Sequence, residues 1–188
     1  ATIDAGTGTL LIAPGAGKAV ELGTGNANFG ISNTEINFVD EASSLVIGQT
    51  NGTTTASSIT IDGAFNLSTS TTALGKVTLI TSGSILNDSG TLTMPAAADL
   101  LLLAQTGIGA SGNAIATVGL SDVAAETNSG GVFVMNSGSG DINITTVTDG
   151  VANTATSVTS TIGGNIAIVN NFATGSLAVS QAVTAAAA

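Results

Sequence analysis

An all-β chain, wound over residues 1–188 as a single β-solenoid, is the fold class that the sequence predicts. Three observations predict it. Apolar residues sit two apart in short runs; Gly, Asn, Asp and Ser bound nearly every run; and the gaps between runs are mostly about ten residues, with some of about twenty. The runs open with Leu10/Ile12 and Val20/Leu22 and continue through Ile36/Phe38, Leu45/Ile47, Ile59/Ile61 and Phe65/Leu67. Val77/Leu79, Leu92/Met94 and Leu100/Leu102 follow, then Val132/Val134, Ile142/Ile144, Ile166/Ile168 and Leu177/Val179. A period of two puts each pair on one face of a strand. No helix is expected, because Gly and β-branched residues recur too often.

Stacked turns of chain account for the composition. Inward positions build ladders of Ile, Val and Leu, outward ones carry Thr, Ser and Asn, and Gly and Asn take the corners that need unusual backbone angles. At roughly 20 residues per turn the chain makes ~9 turns, a rod on the order of 40 Å at ~4.8 Å per turn. A slender interior has room for few rings, which fits 5 Phe and no Trp or Tyr. Phe29, Phe38, Phe65, Phe133 and Phe172, with Met94 and Met135, are read as fillers of the interior or of space under loops. The competing all-β reading is a β-sandwich, which shows the same short strands but normally carries charged outer faces and a Trp or Tyr in its core.

Composition excludes much chemistry. With no His and no Cys there is no Ser-His-Asp triad, no Cys nucleophile, no zinc site of the usual N/S type and no disulfide. Lys18 and Lys76 are the whole cationic complement against 12 carboxylates, for a net charge of −10. Such a chain has nothing to neutralise phosphates, so nucleic acid and anionic membrane surfaces are not expected partners. The strongest apolar run, Leu100 to Ala104, is five residues long, far from the ~20 of a membrane helix. Membrane insertion as a β-barrel is not expected either, since interfacial Trp and Tyr girdles are missing.

Several segments have a more specific character. Ser44-Leu45-Val46-Ile47-Gly48, continuing through Gly52 to Ile59-Thr60-Ile61-Asp62-Gly63-Ala64-Phe65-Asn66-Leu67, resembles the β-strand repeats of filamentous haemagglutinin-like secreted proteins. So do Lys76-Val77-Thr78-Leu79 with Gly83-Ser84-Ile85, Leu100 to Ala104 with Thr106-Gly107-Ile108-Gly109 and Gly112-Asn113-Ala114-Ile115, and Gly130-Gly131-Val132-Phe133-Val134-Met135-Asn136. The resemblance covers most of the chain. It implies a right-handed parallel β-helix, secreted from or displayed on a Gram-negative bacterium as an adhesin, fibre or biofilm component.

Gly15-Ala16-Gly17-Lys18-Ala19 invites a phosphate-loop reading, but the motif's first Gly falls at Ile12 and Ala19 replaces the magnesium-binding hydroxyl, so a polar corner is expected. The carboxylates Asp4, Glu21, Glu35, Asp40, Glu41, Asp62, Asp88, Asp99, Asp122, Glu126, Asp141 and Asp149 are spread almost evenly, with only Asp40 and Glu41 adjacent. Neighbours on a strand point to opposite faces, so a solvated surface is expected, although carboxylates from different turns could meet as glycosidase pairs do. Neither an EF-hand loop nor a calcium β-roll nonapeptide is present. Thr-x-Thr pairs at Thr7/Thr9, Thr53/Thr55, Thr91/Thr93, Thr154/Thr156 and Thr159/Thr161 are too unevenly spaced to stack as an ice-binding array, and the Asn-x-Ser/Thr sequences at Asn51, Asn66, Asn87 and Asn143 are assigned no glycan.

No catalytic, cofactor-binding or metal-binding residue is therefore assigned, no cofactor is expected, and the chain is read as a non-enzyme. The expected role is a structural or adhesive segment of an extracellular bacterial fibre or filamentous adhesin. The alternatives are a carbohydrate-binding or carbohydrate-cleaving β-helix, and a surface-layer-type repeat protein. The expected partner is the protein itself, by axial continuation in a longer chain or by end-to-end association, with host or neighbouring-cell surface glycans as a further class. The reading rests on ends without caps: the first strand follows nine residues with Asp4 as their only charge, and apolar patterning reaches Val183 before the run Ala185 to Ala188.

Overall fold

Gly, Asn and Ser interrupt the hydrophobic pattern before any segment reaches helical length, and the β-branched residues between them favour extended backbone. The computed structural model describes residues 2–25, 29–50, 52–68, 74–138 and 140–187. The described chain is 55% strand and 2% helix, and its sheets are mostly parallel. Asn51 and Ala188 lie outside the described residues.

The longest sheet places Thr9–Ile12, Ser44–Ile47, Lys76–Ile80, Asp99–Ala104 and Asp122–Ser129 side by side in that order. Asp122–Ser129 then forks. Asp122 and Val123 pair with Asn143 and Ile144 of the strand Ile142–Ile144, while Ala125, Glu126 and Thr127 pair with Val158, Thr159 and Ser160 of Val158–Ile162. Leu177–Val179 and Val183–Ala185 extend the two branches. Lys76, Asp99, Asp122 and Asn143 are direct neighbours across the strands, so the chain comes back to the same place after 23, 23 and 21 residues. The earlier returns, from Thr9 to Ser44 and from Ser44 to Lys76, take 35 and 32. These intervals are longer than the expected 20 because whole segments are inserted, and the layers are correspondingly fewer.

Parallel neighbours require crossovers, and these run through two further parallel sheets. One orders Ile85–Asn87, Ala56–Ile61, Lys18–Gly23 and Gly30–Ser32; the other orders Ala64–Asn66, Thr91–Thr93, Ile115–Val118, Val132–Ser137 and Ile166–Asn170. A sandwich of antiparallel Greek-key sheets is not this arrangement. Inward columns repeat like on like: Leu10, Leu45, Val77, Leu100, Val123 and Ile144 form one, and Ile12, Ile47, Leu79, Leu102, Ala125 and Val158 the next. They share one core with Leu22, Ile59, Ile61, Ile85 and Val132 of the other sheets. Each fully buried Leu or Ile in it contributes about 1.5–3 kcal/mol. A polar column closes a corner, where Asn136 Oδ1 accepts from Thr117 Oγ1 at 3.1 Å and from the Leu120 amide at 3.1 Å, and Asn136 Nδ2 donates to Asn170 Oδ1 at 3.3 Å.

Three expectations are corrected. Ile36/Phe38 is not a strand: Asn33–Ile36 forms a one-turn helix with a capping box between Ser32 and Glu35, Ile36 is buried, and Phe38 is about half exposed. Sequence periodicity could not separate a buried two-apart pair from a helical turn this short. Of the other fillers, Phe65 is fully buried but Met135 is 40% exposed. The end of the stack near Lys18–Gly23 is also not bare. Gly30–Ser32 adds a strand outside Lys18–Gly23, the helix packs on Ala64–Asn66, and Asn33 Oδ1 accepts the Asn66 amide at 2.7 Å, satisfying an edge donor.

Gly48 is the point where the chain leaves Ser44–Ile47 for an inserted hairpin, Gln49–Thr50 with Thr53–Thr54. Its φ is +104°, and an added Cβ would lie 2.0 Å from the Ile80 carbonyl oxygen. Gly48→Ala is expected to destabilise the fold by about 2 kcal/mol or more, as left-handed strain and a backbone clash combine, and chemical denaturation followed by circular dichroism would measure it.

Candidate functional site: a groove beside a hairpin strap

On the outer face of the long sheet, alternation was expected to leave Thr, Ser and Asn in solvent. One outward column instead reads Leu11, Val46, Thr78, Leu101 and Ala124, and all but Leu11 are fully buried. A second inserted hairpin, Val147–Thr148 with Thr154–Ala155, covers it. This hairpin leaves the sheet where Asp122–Ser129 forks and folds back across the earlier strands. Val147 and Ala155 pack on Leu101, Ala124 and Leu103 in a small core of their own. Polar ties extend the strap toward the start of the stack: Lys76 Nζ donates to the Thr148 carbonyl at 2.6 Å, the Gly150 amide to Ser44 Oγ at 3.3 Å, and Asn153 Nδ2 to Gln49 Oε1 at 2.7 Å. Asp149, nearly buried, organises the tip by accepting from the Val151 and Asn153 amides and from Asn153 Nδ2.

The two hairpins meet at the Asn153–Gln49 contact, and beside them lies a groove of about 670 Å³. Its floor is the next outward column, Ile80, Leu103 and Glu126, which are direct neighbours on three adjacent strands. Thr54, Asn153 and Thr154 belong to the hairpins on one side, and on the other lie Gln105, just past the end of its strand, and Asn128 and Thr161, near the ends of theirs. Thr81 and Ser82 hydroxyls both donate to the Ala56 carbonyl at 3.0 Å, which fixes that rim. Gln105, Glu126 and Asn128 are exposed, and their side chains hydrogen-bond to no described residue.

A second constellation lies along the strap's edge. Lys76, Asp99 and Asp122 stack on adjacent strands. Burial pushes the Asp99 carboxyl above its ordinary range, Asp122 adds like charge and a hydrogen bond in the same direction, and Lys76 opposes them. The sequence offered no sign of this pair, because the two aspartates are 23 residues apart and meet only through register. Lys76 is already committed to Thr148. Among the described residues no group of three or more carboxylates is placed to hold a metal ion.

The remaining candidates have ordinary places. Lys18 begins a strand after a turn at Gly15–Lys18, not a helix, so the phosphate-loop geometry is not formed. Asp40 and Glu41 are neighbours on the strand Val39–Glu41. The Thr-x-Thr pairs fall on different sheets and hairpins and build no array. Asn66, Asn87 and Asn143 accept hydrogen bonds from Ser68, Gly90 and Ser180. No family model matches the chain, nor does any curated protein or solved structure.

The strap buries one hydroxyl, Thr78 Oγ1, that has no hydrogen-bond partner among the described residues. Thr78→Val keeps the shape and removes the orphan, so it is expected to stabilise the protein by about 1–2 kcal/mol in urea unfolding, whereas Leu101→Ala beneath the same strap costs about 2–5 kcal/mol. For Asp99, a native pKa above the unfolded one means that its contribution is fully present in acid and is lost as pH rises through the raised value. Glu35 and Asp141 run the other way: hydrogen bonds from Ser32 and Ser176 hold them low, and their contribution fades as pH falls. Asp99→Asn is therefore expected to remove a loss of stability that sets in as pH rises above the ordinary aspartate range, read as the difference between mutant and wild-type melting temperatures across pH.

Proposed function

We propose that this chain is a segment of a right-handed β-solenoid fibre, structural or adhesive and not catalytic, carried on the surface of or secreted by a Gram-negative bacterium. The observation that carries the reading is the in-register parallel stack, with like-on-like aliphatic columns from Thr9–Ile12 to Leu177–Val179 and crossovers that pass through one or both of the other two sheets. A β-solenoid is the arrangement in which one chain satisfies such register over many layers. The asparagine column of Asn136 and Asn170 is what a solenoid corner uses to satisfy backbone groups at a bend. Extracellular display and the fibre role come from the resemblance of the strand repeats to filamentous haemagglutinin-like proteins.

The long sheet supports axial contact at both margins. Leu177–Val179 and Val183–Ala185 are exposed along their whole length, and Thr9–Ile12 at the other margin is half-buried. Ile162, Val169, Leu177, Val179 and Val183 leave apolar surface at the first margin. Edge strands of this kind pair with another copy unless charge or proline blunts them. Head-to-tail pairing continues the parallel sheet from one copy to the next.

Light scattering and negative-stain electron microscopy at rising protein concentration test it. Rods that lengthen along one axis are expected, and Val179→Lys with Val183→Lys should leave the circular dichroism spectrum intact while abolishing them. A wild-type chain that stays monomeric throughout would overturn the fibre reading.

A further inference from the structure

We infer that the groove beside the strap binds an extended, uncharged glycan lying across the strands, along the direction in which they stack. Geometry comes first. Ile80, Leu103 and Glu126 are register partners on consecutive strands, so the groove presents equivalent positions every ~4.8 Å. That period is close to the length of one sugar unit in an extended polysaccharide. An extended peptide repeats its side chains on one face every ~6.6 Å and falls out of step with the floor after two strands. The volume, about 670 Å³, lies within the range of small-ligand sites.

The lining chemistry points the same way. Ile80 and Leu103 offer an aliphatic strip for the C–H face of a sugar ring, the role that aromatic platforms fill elsewhere. Gln105 and Asn128 each bring a donor and an acceptor, Glu126 accepts only, and no described residue hydrogen-bonds to any of these three side chains. Paired hydroxyls on neighbouring sugar carbons match such a set, since each hydroxyl donates once and accepts once. Glu126 is the one ionisable group among the described residues that line the groove, and the chain carries a net charge of −10. Uronate and sulfated polymers are therefore repelled. The site uses the face of the sheet and not its edges, so it stands independently of the fibre proposal.

Isothermal titration of the full chain with cello-, manno-, malto- and chito-oligosaccharides, and with oligogalacturonate as the charged comparison, tests the assignment. At least one neutral series is expected to bind, with affinity growing with chain length to the span of the groove and oligogalacturonate failing. Gln105→Ala and Asn128→Ala, both exposed positions, should each weaken that binding tenfold or more without changing the melting temperature. Glu126→Lys should admit oligogalacturonate, and the edge variant Val179→Lys with Val183→Lys should bind as wild type does. Absence of binding by every neutral series, binding indifferent to the two alanine variants, or equal binding of oligogalacturonate would each overturn it.

Discussion

Register between parallel strands is the constraint on which this structure depends. A parallel ladder spaces its hydrogen bonds evenly, and a slip by one residue would turn every inward side chain outward. Each strand of the long sheet is thus positioned by the one before it, from Leu10 on Leu45 to Ile144 on Val179. Aliphatic residues meet aliphatic residues in each inward column of this sheet, and the one fully buried ring of the core, Phe65, lies on another sheet. The near-absence of charge follows from the same geometry: like charges stacked a strand apart repel, and where the long sheet sets Asp99 on Asp122, Lys76 on the next strand compensates in part.

Repetition alone would give a featureless stack, and the insertions are what give this one a face. Two hairpins leave the stack, one after Gly48 and one at the fork of Asp122–Ser129, and both come to rest on the same outer surface. The second turns an outward column into a small secondary core with Leu101 at its centre. Its cost is visible in the buried hydroxyl of Thr78, and its polar ties to Lys76, Ser44 and Gln49 spread its hold over strands far apart in the chain. The groove is the space these hairpins leave open. Rigid strands supply its floor and inserted loops its walls, the division of labour by which scaffolds usually carry binding sites.

The two ends of the stack are managed differently. Near Lys18–Gly23, an extra strand, a capped helical turn and the Asn33 side chain cover edge groups of two sheets. Near Leu177–Val179 and Val183–Ala185 the edges carry no such cover among the described residues. The cover at the first end reaches those two sheets and not the long one, whose strand Thr9–Ile12 pairs on one side only, as Leu177–Val179 and Val183–Ala185 do at the other end.

By itself the sequence determined the all-β class and most strands of the core. Two-residue alternation is a local signal, and at Leu45/Ile47, Val77/Leu79, Leu100/Leu102 and Val132/Val134 the strand lies where alternation puts it. It could not reveal the helical turn at Asn33–Ile36, where a capping box outweighs weak helix propensity over four residues. Nor could it reveal the strap, because the unbroken run Leu100 to Leu103 says that both faces of a strand are buried without saying what covers the second. The Asp99–Asp122 pair and the groove of Ile80, Leu103 and Glu126 were likewise invisible, since each joins residues 23 apart or more. Only tertiary register brings them together: alternation fixes which face a residue points to, but the length of every crossover, insertions included, decides which residue of the next strand it meets.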